Sequence, residues 1–294
     1  MTRLAVLGLG LIGGSVVQAL ASRRPAAWAV TAWSRRPDAP AAAHRAGYVF
    51  EVADDPAAAA AAAELTLLAA SPRTNVALVA QVGPAVSAAN GVLTDVTSVQ
   101  VPMAAAAAAV VGLRAVGGHP MSGRERFGYA AAEPDLFADR PWVIVPGALA
   151  TEADVELVEH LARDCGARPI RLQAAAHDAA VALISHLPLV VATALVAAAA
   201  DASDWPLAQS LAAQGWRDTT RLARGDPALG AGMLALNAGP VADALRRHRA
   251  VLDVWQERLD AVAASDGADV GLDELLVELE RVASIARGEG STGG

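Results

Sequence analysis

Leu4-Ala5-Val6-Leu7-Gly8-Leu9-Gly10-Leu11-Ile12-Gly13-Gly14-Ser15 is the stretch that decides the fold. Four apolar residues read as a buried strand, and helical sequence runs on to about residue 21. Between them Gly8, Gly10 and Gly13 fit G-x-G-x-x-G. The first glycine allows a tight turn, the second lets backbone approach a pyrophosphate, and the third lets helix and strand pack closely. The helix N-terminus then faces the phosphates. A merely tight strand–helix turn is the competing reading. The strand before and the helix after favour a dinucleotide loop made by Gly8, Leu9, Gly10, Leu11, Ile12 and Gly13.

Working outward, residues 28–33, 65–69, 91–95 and 114–116 read as further strands. Helical sequence at 39–46, 56–63, 73–88 and 99–110 separates them. Two more strands, 142–145 and 168–172, flank a helix at 152–165. Strands alternating with helices predict an α/β, Rossmann-type, doubly wound parallel sheet. After residue 172 the strand signal stops. The expected organisation is a dinucleotide-binding domain over 1–172, an all-α substrate and dimerisation domain over 173–287, and a disordered tail over 288–294.

The residue that closes the second strand reads the adenosine ribose in such folds, where a carboxylate marks NAD. Here it is Ser34, followed by Arg35 and Arg36. A serine does not repel a 2′-phosphate and the arginines can pair with one, so NADP+ is favoured over NAD+. If both arginines are solvated surface charges, either cofactor serves. Ser71 and Asp95 end later strands and complete the expected cofactor surface.

Composition narrows the rest. The 294 residues carry a formal charge of −8 with no basic block, which argues against a nucleic-acid partner. Cys165 is the single cysteine, so no intrachain disulfide or thiolate metal cluster forms, and no metal is expected. Residues 179–200 are apolar enough to raise a membrane span. Ser185, His186 and Pro188 within it, and Asp178 and Asp201 at its ends, favour a buried core helix instead. Met1-Thr2-Arg3 leads directly into a strand without a signal segment, so a cytoplasmic protein is expected.

The chemistry is concentrated in Gly117-Gly118-His119-Pro120-Met121-Ser122-Gly123 and the residues to Gly128. His119 is expected in a glycine-flanked loop. An imidazole titrates near neutral pH, so it can take a proton from an alcohol while a cofactor takes the hydride. Ser98, in Asp95-Val96-Thr97-Ser98-Val99, follows a strand at the edge where ligands bind in such sheets. It either bridges cofactor and substrate or caps the helix after it. Arg217 and Arg221 are four apart, which places both on one helix face as a clamp for a dicarboxylate. The alternative is a solvated face with Asp218 as partner.

Taken together, Gly8 to Ser15, Asp95 to Val99, Gly117 to Gly128 with Leu136-Phe137, His177-Asp178 leading to Ser185-His186-Leu187-Pro188, and Trp216 to Arg221 resemble the prephenate/arogenate dehydrogenase family. The resemblance covers roughly residues 3 to 260. It implies NAD(P)-dependent oxidative decarboxylation of a cyclohexadienyl acid in tyrosine biosynthesis, with a homodimer formed through the helical domain. It implies that His119 is the base at the ring hydroxyl and that Ser98 orients it and the nicotinamide. Arg221 then binds a substrate carboxylate with Arg217 as second cation, and Ser122, Glu125 and His186 complete the substrate side. The chain departs from the family pattern at Leu189, where the family carries a second histidine, and at Gln100, where it often carries lysine. Arg124 and Arg126 add positive charge beside His119. The substrates consistent with this are prephenate, arogenate and 4-amino-4-deoxyprephenate. No appended regulatory module is expected after the helical domain. A reading of another class, a catalytically silent dinucleotide-binding redox sensor, gives no reason to carry Ser98, His119 and Arg221 together.

Overall fold

The computed structural model describes residues 1–123, 126–264 and 271–288. The sheet and its helices follow in the order β1 (Thr2–Leu7), α1 (Leu11–Arg23), β2 (Trp28–Trp33), α2 (Asp38–Arg45), β3 (Glu51–Val52), α3 (Pro56–Ala61), β4 (Leu65–Leu68), α4 (Pro72–Ala88), β5 (Val92–Asp95) and α5 (Val101–Ala108). They continue with β6 (Arg114–Pro120), β7 (Pro141–Pro146), α6 (Glu152–Asp164) and β8 (Arg168–Arg171). Across the sheet the strands run β3-β2-β1-β4-β5-β6-β7-β8.

Every neighbouring pair is parallel except β6 and β7, which are antiparallel. The expected doubly wound parallel sheet is present, and its one antiparallel pair has a physical reason. A parallel return needs a crossover helix, and the link from β6 to β7 carries only a 3-10 turn at Tyr129–Ala131 among its described residues. The edge strand β3 is two residues long, too short for alternation to reveal.

Leu65-Thr66-Leu67-Leu68 is buried at every position, as a central strand covered on both faces must be. One apolar core forms around Val6, Val16, Leu20, Leu67, Phe137 and Ile144. The other forms around Leu7, Leu68, Val79, Val82, Leu93 and Met103.

The helical half begins with α7 (Ala174–Val181), which passes through one π-turn (Ala182–His186) into α8 (Leu187–Ala200). Pro188 explains the widening, because it has no N–H to give and its ring crowds the preceding turn. There follow α9 (Trp205–Ser210), α10 (Gln214–Thr219), α11 (Pro227–Leu236), α12 (Ala238–Ala264) and α13 (Leu272–Ala286).

Compact units divide at Val241, inside α12, giving Met1–Val241 and Ala242–Gly294. Strands end near residue 172, but the sheet unit continues because α7 caps α5 through Asp178 and Gly232 of α11 packs on the stem of Arg73 in α4. Of the expected tail, residues 289–294 lie outside the described residues.

The apolar helix of residues 174–200 is not the buried core helix expected. Only 22% of its apolar window is buried, and Ala192 alone is buried in α8. It is long and apolar enough to cross a membrane by length and composition. In the second unit, Leu276, Leu279 and Val282 of α13 are likewise exposed.

Candidate active site

The first part of the site is a turn of backbone. Gly8 adopts φ +113°, a left-handed conformation open to glycine, and its N–H donates to the Trp33 carbonyl at 2.8 Å. A methyl at Gly8 would run into the backbone of Ala69, and one at Gly13 would overlap the Gly8 carbonyl oxygen. A methyl at Gly10 would meet nothing. The turn is therefore closed where it packs and open where a pyrophosphate approaches the N-terminus of α1, so a dinucleotide fits it. Leu9 is buried, and Leu11 and Ile12 pack against the same core, so these three anchor the turn.

Ser34 follows β2 and is partly buried, whereas Arg35 and Arg36 are exposed and enter no ion pair among the described residues. Ser71 caps α4 by position, and its hydroxyl lies 2.8 Å from that of Thr74. Sequence reasoning missed Asn75. Fully buried, it accepts from the Ala70 N–H at 2.9 Å and donates to the Leu68 carbonyl and the Thr97 hydroxyl. It thereby ties the turns after β4 and β5 into one ledge. A polar residue at an inward position of α4 was the available signal.

The second part is a chain of side chains. His119 lies on β6 rather than in a loop, because Gly117 to Pro120 pairs with Val145 to Trp142 of β7. Pro120 ends the strand, where a missing N–H is tolerated. His119 Nδ1 lies 2.8 Å from His177 Nε2, and His177 Nδ1 lies 2.7 Å from Asp178 Oδ1. Asp178 accepts from the Gln100 N–H at 2.7 Å and the Val101 N–H at 2.8 Å, which are orphan donors at the N-terminus of α5.

These contacts fix the protons. A carboxylate only accepts, so His177 carries its proton on Nδ1 and offers the Nε2 lone pair. His119 must then donate from Nδ1, which leaves its own Nε2 as a bare acceptor. Burial first, and then the neighbouring His177 and His186, push the His119 pKa down to about 3. The imidazole is therefore neutral throughout the neutral range, with a proton affinity below that of an ordinary histidine.

Around this chain, Asn237 donates to the Asp178 carbonyl at 2.9 Å and to His186 Nδ1 at 3.0 Å. His186 is fully buried with its Nε2 unpartnered among the described residues, and burial lowers its pKa to about 4. Asp95 is buried at the end of β5, accepts from the Thr97 N–H at 2.7 Å, and is pushed up to about 6 by desolvation. The Gln100 amide donates to Asp95, to the Thr97 carbonyl and to the Gly118 carbonyl.

His177, Asp178, Asn237 and Gln100 thus support His119, and none had been singled out as a site residue. The adjacent His177-Asp178 pair in the family resemblance was the clue.

Other expected residues fall elsewhere. Ser98 is not a helix cap, since α5 starts at Val101 after Gln100, and it makes no hydrogen bond to His119, whose Nδ1 is taken by His177. Arg217 and Arg221 do not share one helix face. The helix α10 stops at Thr219, and Arg221 opens a 3-10 turn to Arg224. The hydroxyls of Thr219 and Thr220 bond back to the Gly215 and Trp216 carbonyls and help end the helix. Asp218 pairs with Gln214, not with Arg217. The Ser122 hydroxyl is buried and has no hydrogen-bond partner among the described residues, beside a cavity of about 250 Å³ that Met121, Asp135 and Arg140 also line. Glu125 and Arg124 lie outside the described residues.

A neutral, oriented imidazole at the carboxyl edge of a sheet that also holds a dinucleotide turn suits proton removal coupled to hydride transfer. Comparison with known proteins agrees. Residues 19–171 match the family model for the prephenate dehydrogenase nucleotide-binding domain, and residues 173–270 match that for the prephenate dehydrogenase dimerization domain. A prephenate dehydrogenase of Bacillus subtilis (strain 168) is 28% identical over 258 residues, 87% of this chain and 67% of that one. The arogenate dehydrogenase structure from Synechocystis has a TM-score of 0.78 at 28% identity, covering 98% of both chains. The prephenate dehydrogenase of A. aeolicus, solved with hydroxyphenyl propionate and NAD+, shares the fold at a TM-score of 0.84 and 23% identity over 98% of both chains. The chain belongs to the prephenate dehydrogenase family and is an NAD(P)-dependent dehydrogenase.

Proposed function

We propose that the chain oxidatively decarboxylates a cyclohexadienyl acid, with prephenate as substrate and 4-hydroxyphenylpyruvate as product. The observation that carries this reading is the fixed tautomer of His119. Its Nε2 lone pair is free because Nδ1 is committed to His177, which is committed to Asp178. NAD(P)+, when bound at the Gly8–Gly13 turn, supplies the hydride acceptor.

His119 Nε2 takes the proton from the ring hydroxyl as that carbon is oxidised. The imidazolium so formed keeps its Nδ1–H on His177, and the Asp178 carboxylate steadies the charge through it. The ring carboxylate leaves as carbon dioxide and the ring becomes aromatic, so the protein's task is orientation and charge stabilisation. Arg221, with Arg217 as a second cation, is the proposed anchor for a substrate carboxylate. Ser98 faces the nicotinamide side, and Ser122, Glu125 and His186 belong to the substrate side. The domain roles follow, with 1–172 for cofactor and 173–287 for substrate and dimerisation.

NADP+ is the preferred cofactor in this reading, on the strength of Ser34 with the exposed Arg35 and Arg36. A homodimer would cover the exposed apolar helices, and the protein would work in the cytoplasm. Leu189 favours keeping arogenate and 4-amino-4-deoxyprephenate as second substrates. Its side chain packs toward Gly230 and has no polar group to offer a side-chain carboxylate.

The test is turnover on the three acids with NAD+ and NADP+ in parallel. Prephenate with NADP+ should give the highest kcat/KM. Cofactor binding without turnover on any of the three would overturn the assignment.

A further inference from the structure

A second cavity, of about 230 Å³, lies between α5 and the edges of β5, β6 and β7, away from the Gly8–Gly13 turn. Its origin is in the sequence. The helix α5 reads Val101-Pro102-Met103-Ala104-Ala105-Ala106-Ala107-Ala108, and Ala104 and Ala107 offer methyl groups where helix-on-sheet packing usually takes larger side chains. Gly117 opposite adds no side chain, and the Gln100 amide oxygen stands where its Cβ would be. Exposed Ala104 and Leu149 stand at its mouth, while Thr94, Asp95 and Gln100 are buried at its floor.

Among the described residues the lining holds no Lys, Arg or His. A carboxylate or phosphate entering it would lose its hydration, gain no cation and meet Asp95. The polar groups on offer are few. Gln100 spends Nε2 on Asp95, Thr97 and Gly118, and its Oε1 accepts from no group among the described residues. The Thr94 hydroxyl is buried and likewise unpartnered among them. An apolar cavity of about 150 Å³ suffices for benzene, so this one has room for a single substituted ring.

We propose that this cavity is a binding site for a small neutral phenol, its ring against Met103 and Ala107 and its hydroxyl donating to Gln100 Oε1. The same glutamine's backbone N–H holds Asp178, and through it His177 and His119. Occupancy therefore modulates turnover without occupying the substrate's place. That second clause rests on the proposed function, and the binding clause does not.

The probe is p-cresol, titrated calorimetrically against the full chain. One site in the millimolar range is expected, with a Tm rise of about 2–4 °C at roughly ten times Kd. Ala107→Phe, which fills the cavity, should abolish both. If that variant does not fold, Ala104→Leu is titrated in its place with the same expectation. Binding should persist when 4-hydroxyphenylpropionate, a charged phenol, is present at high concentration. Absence of binding, binding retained in the folded filled variant, or displacement by 4-hydroxyphenylpropionate would each overturn the site. In steady state p-cresol should change kcat and leave KM for the cyclohexadienyl acid in place, and purely competitive inhibition would overturn the coupling. A chain inactive on every cyclohexadienyl acid would remove the function while the calorimetric arms still decide the cavity.

Discussion

The Gly8–Gly13 turn and the His119–His177–Asp178 chain lie on the same sheet and are built in opposite ways. The turn is six consecutive residues whose role is set by backbone, by a positive φ at Gly8 and by the lack of room for a methyl at Gly13. The chain is three side chains from two distant segments, joined only because α7 folds back to cap α5. A site made of backbone tolerates no Cβ, and a site made of side chains depends on what holds them. The two regions should therefore break differently.

The largest effect is expected at the end of the chain. His119→Asn keeps a polar group on β6 but removes the base. It should cut kcat by about 10²–10⁴-fold with cofactor affinity nearly unchanged. Stopped-flow turnover beside a fluorescence titration of the reduced dinucleotide checks both halves. A matching loss of dinucleotide binding would mean that the two regions are not separable.

Arg221→Ala should act on substrate binding. Losing a charge-assisted bond of about 1.5–3 kcal/mol raises KM by about 10–100-fold and leaves kcat comparatively unchanged. A fall in kcat alone would remove Arg221 from the role of carboxylate anchor.

Asp178→Asn tests whether the chain works as a relay. The amide still accepts at one atom, but its NH₂ faces a donor, either an α5 N–H or the His177 Nδ1–H. A loss in kcat of about 10-fold or more is expected, since wrong-tautomer control is costly in such chains. A helix-capping role alone would lower Tm and spare kcat.

How much of this was legible follows from the same contrast. The strands 28–33 and 65–68, the helix starting at Glu152 and the dinucleotide turn were readable because propensity, periodicity and glycine sterics act within a few residues. The strand status of His119 was not, because it depends on a β7 partner that the sequence places more than twenty residues away. Arg217 and Arg221 misled because spacing alone assumes the helix continues, and two threonine back-bonds help end it. The apolar run of 179–200 was read as core because composition reports what must be covered, not by which chain. His177-Asp178 lay in plain view, yet only the fold shows that an aspartate on α7 satisfies the first turn of α5.

Burial of neutral imidazoles also sets a pH dependence that belongs to the chain and not to the turn. His186 has its pKa lowered to about 4 in the folded protein against an ordinary value of 6.5. The unfolded state therefore binds more protons between those values, and stability falls as pH drops from 6.5 toward 4. The full contribution is present above 6.5. Each unit of descent costs at most about 1.4 kcal/mol for one such group. Thermal melts from pH 7.5 to 4.5 should show this slope, and His186→Gln should flatten part of it. An unchanged slope in that variant would assign the acid sensitivity to other groups.

The smallest change expected lies at the cofactor end and leaves the histidine chain untouched. Ser34 sits just beyond β2, where a carboxylate would accept from a ribose 2′-hydroxyl and repel a 2′-phosphate. Ser34→Asp should therefore move the ratio of kcat/KM for NADP+ over NAD+ toward NAD+ by roughly 10-fold, with the shift in KM and not in kcat. Because the exchange is between two ground-state contacts far from the reacting carbon, the kcat of the variant with NAD+ should match that of the parent. A ratio that does not move would mean that Arg35 and Arg36 face solvent in the complex. Ser34 then reads neither form of the ribose, and the two regions differ in construction but not in selectivity.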